Sequence, residues 1–362
     1  MDTYRYLLDL AIILISTKLL GLLTRRVQMP QVVGALLAGL ILGPAGFGIL
    51  SETSFIHEVA EIGVIVLMFT AGMETDIKEL KASGKASFII ALCGVIVPLI
   101  GGYGVAWFFN RPSMAGSNLS SPVVLQNVFI GVVLTATSVS ITVETLKELG
   151  ALKSRSGNAI LGAAIIDDVL GIIALTIVTS LADDSVKIGM VLIKIVGFFV
   201  FSGVVGFVFY KMYKKWVDGA EKELHRHTII AFVFCLLMAF IAEEVFGVAD
   251  ITGAFFAGLI ISMTQKDQFI ASKFDVLSYL LLSPIFFASI GLNITFDGFT
   301  IDLLWFSLAF VVVALAGKVI GCGLVSKAFG NSWKDSLRIG VGMMTRGEVA
   351  LIVANKGLAV GM

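Results

Sequence analysis

The sequence predicts an all-α polytopic membrane protein, assembled from two copies of one helical unit in opposite orientation. Three observations carry this. The chain is 57% hydrophobic and only 14% charged, whereas about 25% charged is ordinary for a soluble domain. Apolar windows of roughly 20 residues, the length that crosses a bilayer, follow one another from end to end. A nine-residue pattern in the second window, Val33–Ile41, returns in the ninth as Thr252–Ile260, at an offset of 219. The net charge is zero, which leaves no electrostatic argument for nucleic acid or an acidic partner. Cys93, Cys235 and Cys322 stand singly in apolar segments, so neither a disulfide framework nor a CxxC metal site is expected. The first apolar run has no cleavage site after it and reads as a spanning helix rather than a signal peptide.

Twelve spans are read, at about 4–23, 31–50, 57–74, 83–109, 122–148, 155–181, 187–211, 226–247, 250–265, 272–292, 301–328 and 332–361. Lys and Arg near the span ends fix the expected orientation. The loops after spans 1, 3, 5, 7, 9 and 11, with their flanks, carry 2, 3, 3, 5, 2 and 3 of them. The N-terminus and the even loops together carry only Arg5, Arg111 and Lys187. This places the N-terminus outside and the odd loops, the longest being Lys211–Arg226, in the cytoplasm of a multi-pass cell-membrane protein.

The repeat extends beyond one nonamer. Gly72 of the third span pairs with Gly291 of the tenth at the same offset, and Ile130-Gly131-Val132 of the fifth matches Ile339-Gly340-Val341 of the twelfth at 209. Seven spans separate the members of each pair, so the copies are inverted, an arrangement typical of secondary transporters. By the same offset the sixth span needs a counterpart near residue 376, and a thirteenth helix is expected to be missing from this chain.

Polar groups at membrane depth single out the functional candidates. Asp167 and Asp168 lie side by side in an otherwise apolar run. A carboxylate at the bilayer centre costs roughly 2.5–3.5 kcal/mol on insertion scales, and a second beside it adds like-charge repulsion. The fifth span carries Thr135, Thr137, Ser138, Ser140 and Thr142, and the twelfth carries Gly340, Gly342, Thr345, Arg346, Gly347 and Glu348. These two segments correspond by the repeat. Both are expected to be interrupted helices, with Arg346 and Glu348 neutralising the partial charges of the broken ends; the alternative is intact helices with back-bonded hydroxyls and a local Arg–Glu pair. Lys318, flanked by Gly317 and Gly321, is the other deep charge. Successive helix residues point about 100° apart, so one aspartate can face this lysine while the other turns to the broken helices. Glu144 is expected either to line a cytoplasmic funnel or to join a salt bridge; His225 and His227 are expected to be solvated rather than pH sensors.

With Thr135-Ala136-Thr137-Ser138, Asp167-Asp168 before Val169-Leu170-Gly171, the glycine-flanked Lys318 and Thr345-Arg346-Gly347-Glu348 in order, the chain closely resembles the NapA-type two-aspartate sodium/proton antiporters of the monovalent cation:proton antiporter-2 family. The resemblance covers essentially the whole chain. It implies a thirteen-helix homodimer in which a core domain carries two crossed broken helices. On that plan residues 1–74 and 226–292 form the scaffold, 83–181 and 301–362 the core, and 187–211 a linker. It implies Asp168 as main carrier of cation and proton, Asp167 as charge partner of Lys318, and Thr137 and Ser138 as neutral oxygen ligands of a monovalent cation, most often sodium and otherwise lithium or potassium. No cofactor and no enzymatic activity are expected. Kef-type potassium efflux proteins are relatives, but their first aspartate is usually Gln and they carry a soluble nucleotide-binding domain. A sodium-coupled symporter of an organic anion is a further alternative. A channel needs no alternating access, and an intramembrane aspartyl protease uses two aspartates on separate helices rather than an adjacent pair.

Overall fold

A computed structural model describes residues 4–110, 122–182, 188–218, 224–296 and 300–359. Arg111, Lys187 and Lys222, which entered the charge count, lie outside these. The first half contains α1 (Arg5–Arg26), α2 (Gln31–Leu42), α3 (Ser54–Glu74), α4 (Ile77–Phe109), α5 (Val123–Thr135), α6 (Val139–Glu148) and α7 (Arg155–Ala182). After α8 (Ile188–Asp218) come α9 (Leu224–Phe240), α10 (Asp250–Ile261), α11 (Asp267–Leu277), α12 (Ser283–Leu292), α13 (Ile301–Ala328), α14 (Trp333–Gly342) and α15 (Glu348–Ala359). Single π turns, Ile241–Val245 and Ser278–Leu282, extend α9 and join α11 to α12. Among the described residues nine helical stretches are long and apolar enough to cross a membrane, and α2 and α10 are shorter apolar helices.

Local chemistry sets the starts. Thr53, Thr300 and Ser332 cap α3, α13 and α14 by accepting from Ile56 N, Leu303 N and Asp335 N, which satisfies amides that have no intrahelical partner. Pro30 and Pro122 sit immediately before α2 and α5, where a missing N–H costs nothing. Large apolar side chains project outward from α1, α8 and α13, among them Leu19, Val196, Val200, Phe207, Val312 and Leu324. In water such faces would demand a partner; in a bilayer, lipid covers them.

Apolar burial gives little drive for helices to associate within lipid, so close backbone packing and hydrogen bonds carry the association. Two contacts show this. Gly39 of α2 lies against the backbone of Ala288 and Gly291 of α12, and Gly72 of α3 lies against Phe255 and Gly258 of α10. A Cβ at any of these four glycines would run into the facing backbone. One group of helices, α1–α3 with α9–α12, packs through these seams, while α4, α5, α7, α13 and α14 pack on one another in a second group. Within the second, Gly317 of α13 lies against Pro98 of α4, and Gly321 against the Cys93 carbonyl. Helix α6 belongs to the second group by chain order but touches α2 and α3 of the first as well as α7.

Overpacking a tight contact costs typically 1–3 kcal/mol. Gly39→Val is therefore expected to lower the thermal midpoint of the detergent-solubilised protein by several degrees. Gly203→Ala on α8, where a Cβ meets open space, is expected to leave it unchanged. Size-exclusion chromatography after a heating series reads both.

Candidate functional site

The site is built where two chains of backbone stop being helical. Between α5 and α6, residues 136–138 leave the helical pattern, with Ser138 extended; between α14 and α15, residues 343–347 lose it as well. The two interruptions face each other. Ser138 N donates to Thr345 O at 3.1 Å, and Thr345 Oγ1 donates back to Ser138 O at 2.9 Å. Backbone groups freed at this depth thus find partners in the opposite break. The orphan carbonyls at the helix ends are covered too. Arg346 Nη2 donates to Leu134 O at 2.9 Å, near the end of α5. Thr142 Oγ1 donates to Gly342 O at 3.0 Å, at the end of α14. A cation at one C-terminal end and a hydroxyl at the other oppose the negative partial charges there.

Glu348 takes the complementary position. It opens α15 and receives Ser140 Oγ at 2.6 Å and Ser138 Oγ at 3.1 Å from the start of α6. Its carboxylate therefore sits at the N-terminal ends of two half-helices, where the partial charge is positive. Ser138 also caps α6 by accepting from Ile141 N at 3.3 Å. The Ser138 hydroxyl is thus directed to Glu348 and the α6 cap. Thr137 is fully buried, and its Oγ1 has no hydrogen-bond partner among the described residues.

The paired aspartates sit midway along α7. Lys318 Nζ of α13 donates to Asp167 Oδ1 at 2.6 Å, with side-chain exposures of 0% and 1%, so Lys318 does not reach an interface. Gly94 of α4 leaves room for this pair, lying beside Lys318 Nζ, Asp167 Oδ1 and Cys322 Sγ. Asp168 points elsewhere: its Oδ1 is buried and unpartnered among the described residues. It lines a cavity of about 690 Å³ together with Thr135, Ala136, Asp167 and Glu348. Here three carboxylates and the α5 break meet open space, a set of hard oxygen donors suited to a small cation and to protons. Toward its mouth the cavity is lined by Glu52, His57, Glu61, Glu243 and Asp250. Glu144 lies outside this cavity and lines a separate one at the other end of the molecule.

Sequence reading overlooked two features. Ser140 appeared only as one of several hydroxyls, although it makes the shortest bond to Glu348. His57, whose ring nitrogens lie 3.2 Å from Glu52 and 3.1 Å from Glu61, was not considered; its i, i+4 spacing to Glu61 was the available signal.

Interrupted helices crossing beside buried carboxylates define an ion-coupled secondary transporter. Residues 11–361 match the family described as sodium/hydrogen exchanger, transmembrane, and the chain belongs to that family. It is 39% identical to the Na(+)/H(+)-K(+) antiporter GerN of Bacillus cereus, over 99% of this chain and 89% of that one. It is 33% identical to a Na(+)/H(+) antiporter of Enterococcus hirae, over 96% and 88%. The fold is similar to that of the sodium proton antiporter MjNhaP1 of Methanocaldococcus jannaschii, with a TM-score of 0.69 and 19% identity over 99% of this chain and 87% of that one.

Removing one partner of a buried ion pair costs about 3–5 kcal/mol, because the other charge is stranded. Lys318→Met is expected to destabilise the protein by that order in a denaturation series. Asp167→Asn combined with Lys318→Met is expected to recover most of the loss.

Proposed function

We propose that the protein exchanges a monovalent cation, sodium first, for protons across the membrane by alternating access, with Asp168 as the carrier. The observation that carries this is the asymmetry of the aspartate pair: Asp167 is bonded to Lys318, while Asp168 has, among the described residues, an unpartnered oxygen on the main cavity. An unpaired carboxylate in low dielectric is stabilised by taking up either a proton or a cation. The two compete for one position. Protonated Asp168 crosses without metal; ionised Asp168 crosses with a cation whose remaining ligands are oxygens of the α5 break, Thr137 and Ser138 among them. Ser138 can ligate the ion through an oxygen lone pair while its hydrogen stays on Glu348. A second proton, carried by Asp167 or Lys318 for each cation, makes the exchange move net charge.

Several findings support the finer picture of twelve spans in an inverted repeat with two-aspartate, NapA-type chemistry. The repeat places Gly39 on Gly258 and Gly72 on Gly291; Gly39 packs against Gly291, and Gly72 against Gly258. Each contact is therefore the repeat image of the other. Gly131 and Gly340, also repeat partners, pack on the backbones of α4 and α13 in the same way. With the Lys/Arg bias, the cavity reaching Asp168 opens to the outside. The helix grouping supports a moving core of α4–α7 and α13–α15 against a scaffold of α1–α3 and α9–α12. Potassium is the second cation to consider, since the printed name of one relative includes it.

Proton flux in proteoliposomes, titrated with sodium, lithium and potassium across pH, tests this reading. Wild-type protein is expected to release the pH gradient on sodium addition and to slow as protons outcompete the cation at low pH. Asp168→Asn is expected to abolish the response while the protein stays monodisperse. Wild-type rates from Asp168→Asn would refute the assignment.

A further inference from the structure

The end of the molecule opposite the Asp168 cavity is closed by α6, and its closing residues belong to none of the ion-binding groups above. Helix α3 serves as a ruler. Glu61, near its start, lines the Asp168 cavity; Glu74 ends it, roughly 20 Å further on at 1.5 Å per residue. At that far end Lys147 of α6 is held by three groups from two other helices. Its Nζ lies 2.8 Å from Asp275 Oδ1 of α11, 3.4 Å from Glu74 Oε1 and 3.1 Å from Thr70 Oγ1, both of α3. Its side chain is 17% exposed. The next residue, Glu148, makes an independent clamp. Its carboxylate accepts from Gln31 N at 2.7 Å and Val32 N at 3.2 Å, capping α2 at its N-terminus.

Both clamps lie on a cavity of about 590 Å³ lined by Arg25, Glu144, Lys147, Glu148, Asp275 and Ser278 among others. It shares no lining residue with the cavity that reaches Asp168. Helix α6 is therefore tied at both ends. Its N-terminus is bonded to Glu348 at the crossing through Ser138 and Ser140, and its C-terminus is bonded to α2, α3 and α11. Motion of the crossing toward the closed end has to break the second set of bonds.

We propose that Lys147 and Glu148 are the gate residues of the closed end: they hold the present state and release together when Asp168 becomes accessible from the other side. This rests on the alternating-access reading. Release also changes the local charge. Lys147 withdrawn from Glu74 and Asp275 leaves those carboxylates, with Glu144 and Glu148, facing the newly opened path, which favours entry of a cation.

The test reads accessibility rather than transport. Reporter cysteines are placed at Thr179, which lines the Asp168 cavity, and at Ser283, which lines the closed-end space beside Glu144 and Glu148. A polar maleimide is applied to protein in nanodiscs, where both faces are reachable. Loss of a charge-assisted hydrogen bond of this kind shifts a two-state equilibrium by about tenfold or more. Lys147→Met with Glu148→Ala is therefore expected to raise labelling at Ser283→Cys by about tenfold and to lower it at Thr179→Cys. The swap Lys147→Glu with Asp275→Lys is expected to restore the original rates. Unchanged labelling at both reporters, in a double variant with the original thermal midpoint, would overturn the proposal. A swap indistinguishable from Lys147→Met would overturn it as well. If accessibility shifts but no cation drives proton flux in liposomes, the exchange reading fails and the gate stands.

Discussion

The rest of the structure depends on one constraint: a backbone that leaves helical geometry inside a membrane must find its hydrogen bonds within the protein or on a water-filled cavity, never in lipid. The two breaks satisfy it by facing each other. Ser138 and Thr345 exchange main-chain and side-chain bonds, Arg346 and Thr142 cover the carbonyl ends, and Glu348 faces the amide ends. Neither interruption could be stable alone. The crossing also supplies polar surroundings for the carboxylates, because Asp168 shares its cavity with Thr135, Ala136 and Glu348.

Close helix contact is the second requirement, and glycine supplies it. The α2–α12 and α3–α10 seams bring backbone to backbone, which fixes those helices relative to one another with little rotational freedom. The α4–α13 contact brings Lys318 within bonding distance of α7, since Gly317 and Gly321 allow α13 to approach α4 around Pro98 and Cys93. The ion pair is thus positioned by the absence of side chains at the residue just before the lysine and about one turn after it. Two separately packed helix groups follow from this distribution, and α6, like α8, contacts both.

Much of this was legible in the sequence, for identifiable reasons. Deep charges are expensive, so Asp167, Asp168, Lys318, Arg346 and Glu348 stand out against an apolar background. Helix breaks announce themselves through clustered hydroxyls and glycines, and both breaks fall inside the stretches where those residues cluster. The twelve windows were less informative about shape, because α2 and α10 are short apolar helices and the fifth and last windows are each two half-helices. What could not be read, apart from the Asp167–Lys318 pair, was pairing between distant residues. Ser138 resembled a free ligand, but the structure directs it to Glu348, a partner 210 residues away. Lys147 counted only as one positive charge near a span end, because nothing local marks it as meeting Asp275, 128 residues on. Such long-range partners are set by the packing of helices, on which composition and spacing carry no information.

Helix α8 adds a consequence of another kind. At 31 residues it is about 46 Å long, well beyond a hydrocarbon core of about 30 Å. Its second half carries Tyr210, Lys211, Tyr213, Lys214, Lys215 and Trp216, with Lys211 stacked over Phe207 and Lys214 over Tyr210. Tyr213 is tied by its hydroxyl to His227 O on α9 at 2.9 Å. Aromatic and basic side chains of this sort settle at the headgroup level. The helix is therefore anchored at one interface, and its excess length is taken up by tilt or by protrusion, according to bilayer thickness. Because α8 touches both α7 and α10, the thickness and headgroup charge of the surrounding lipid act directly on the helix that links the two packing groups.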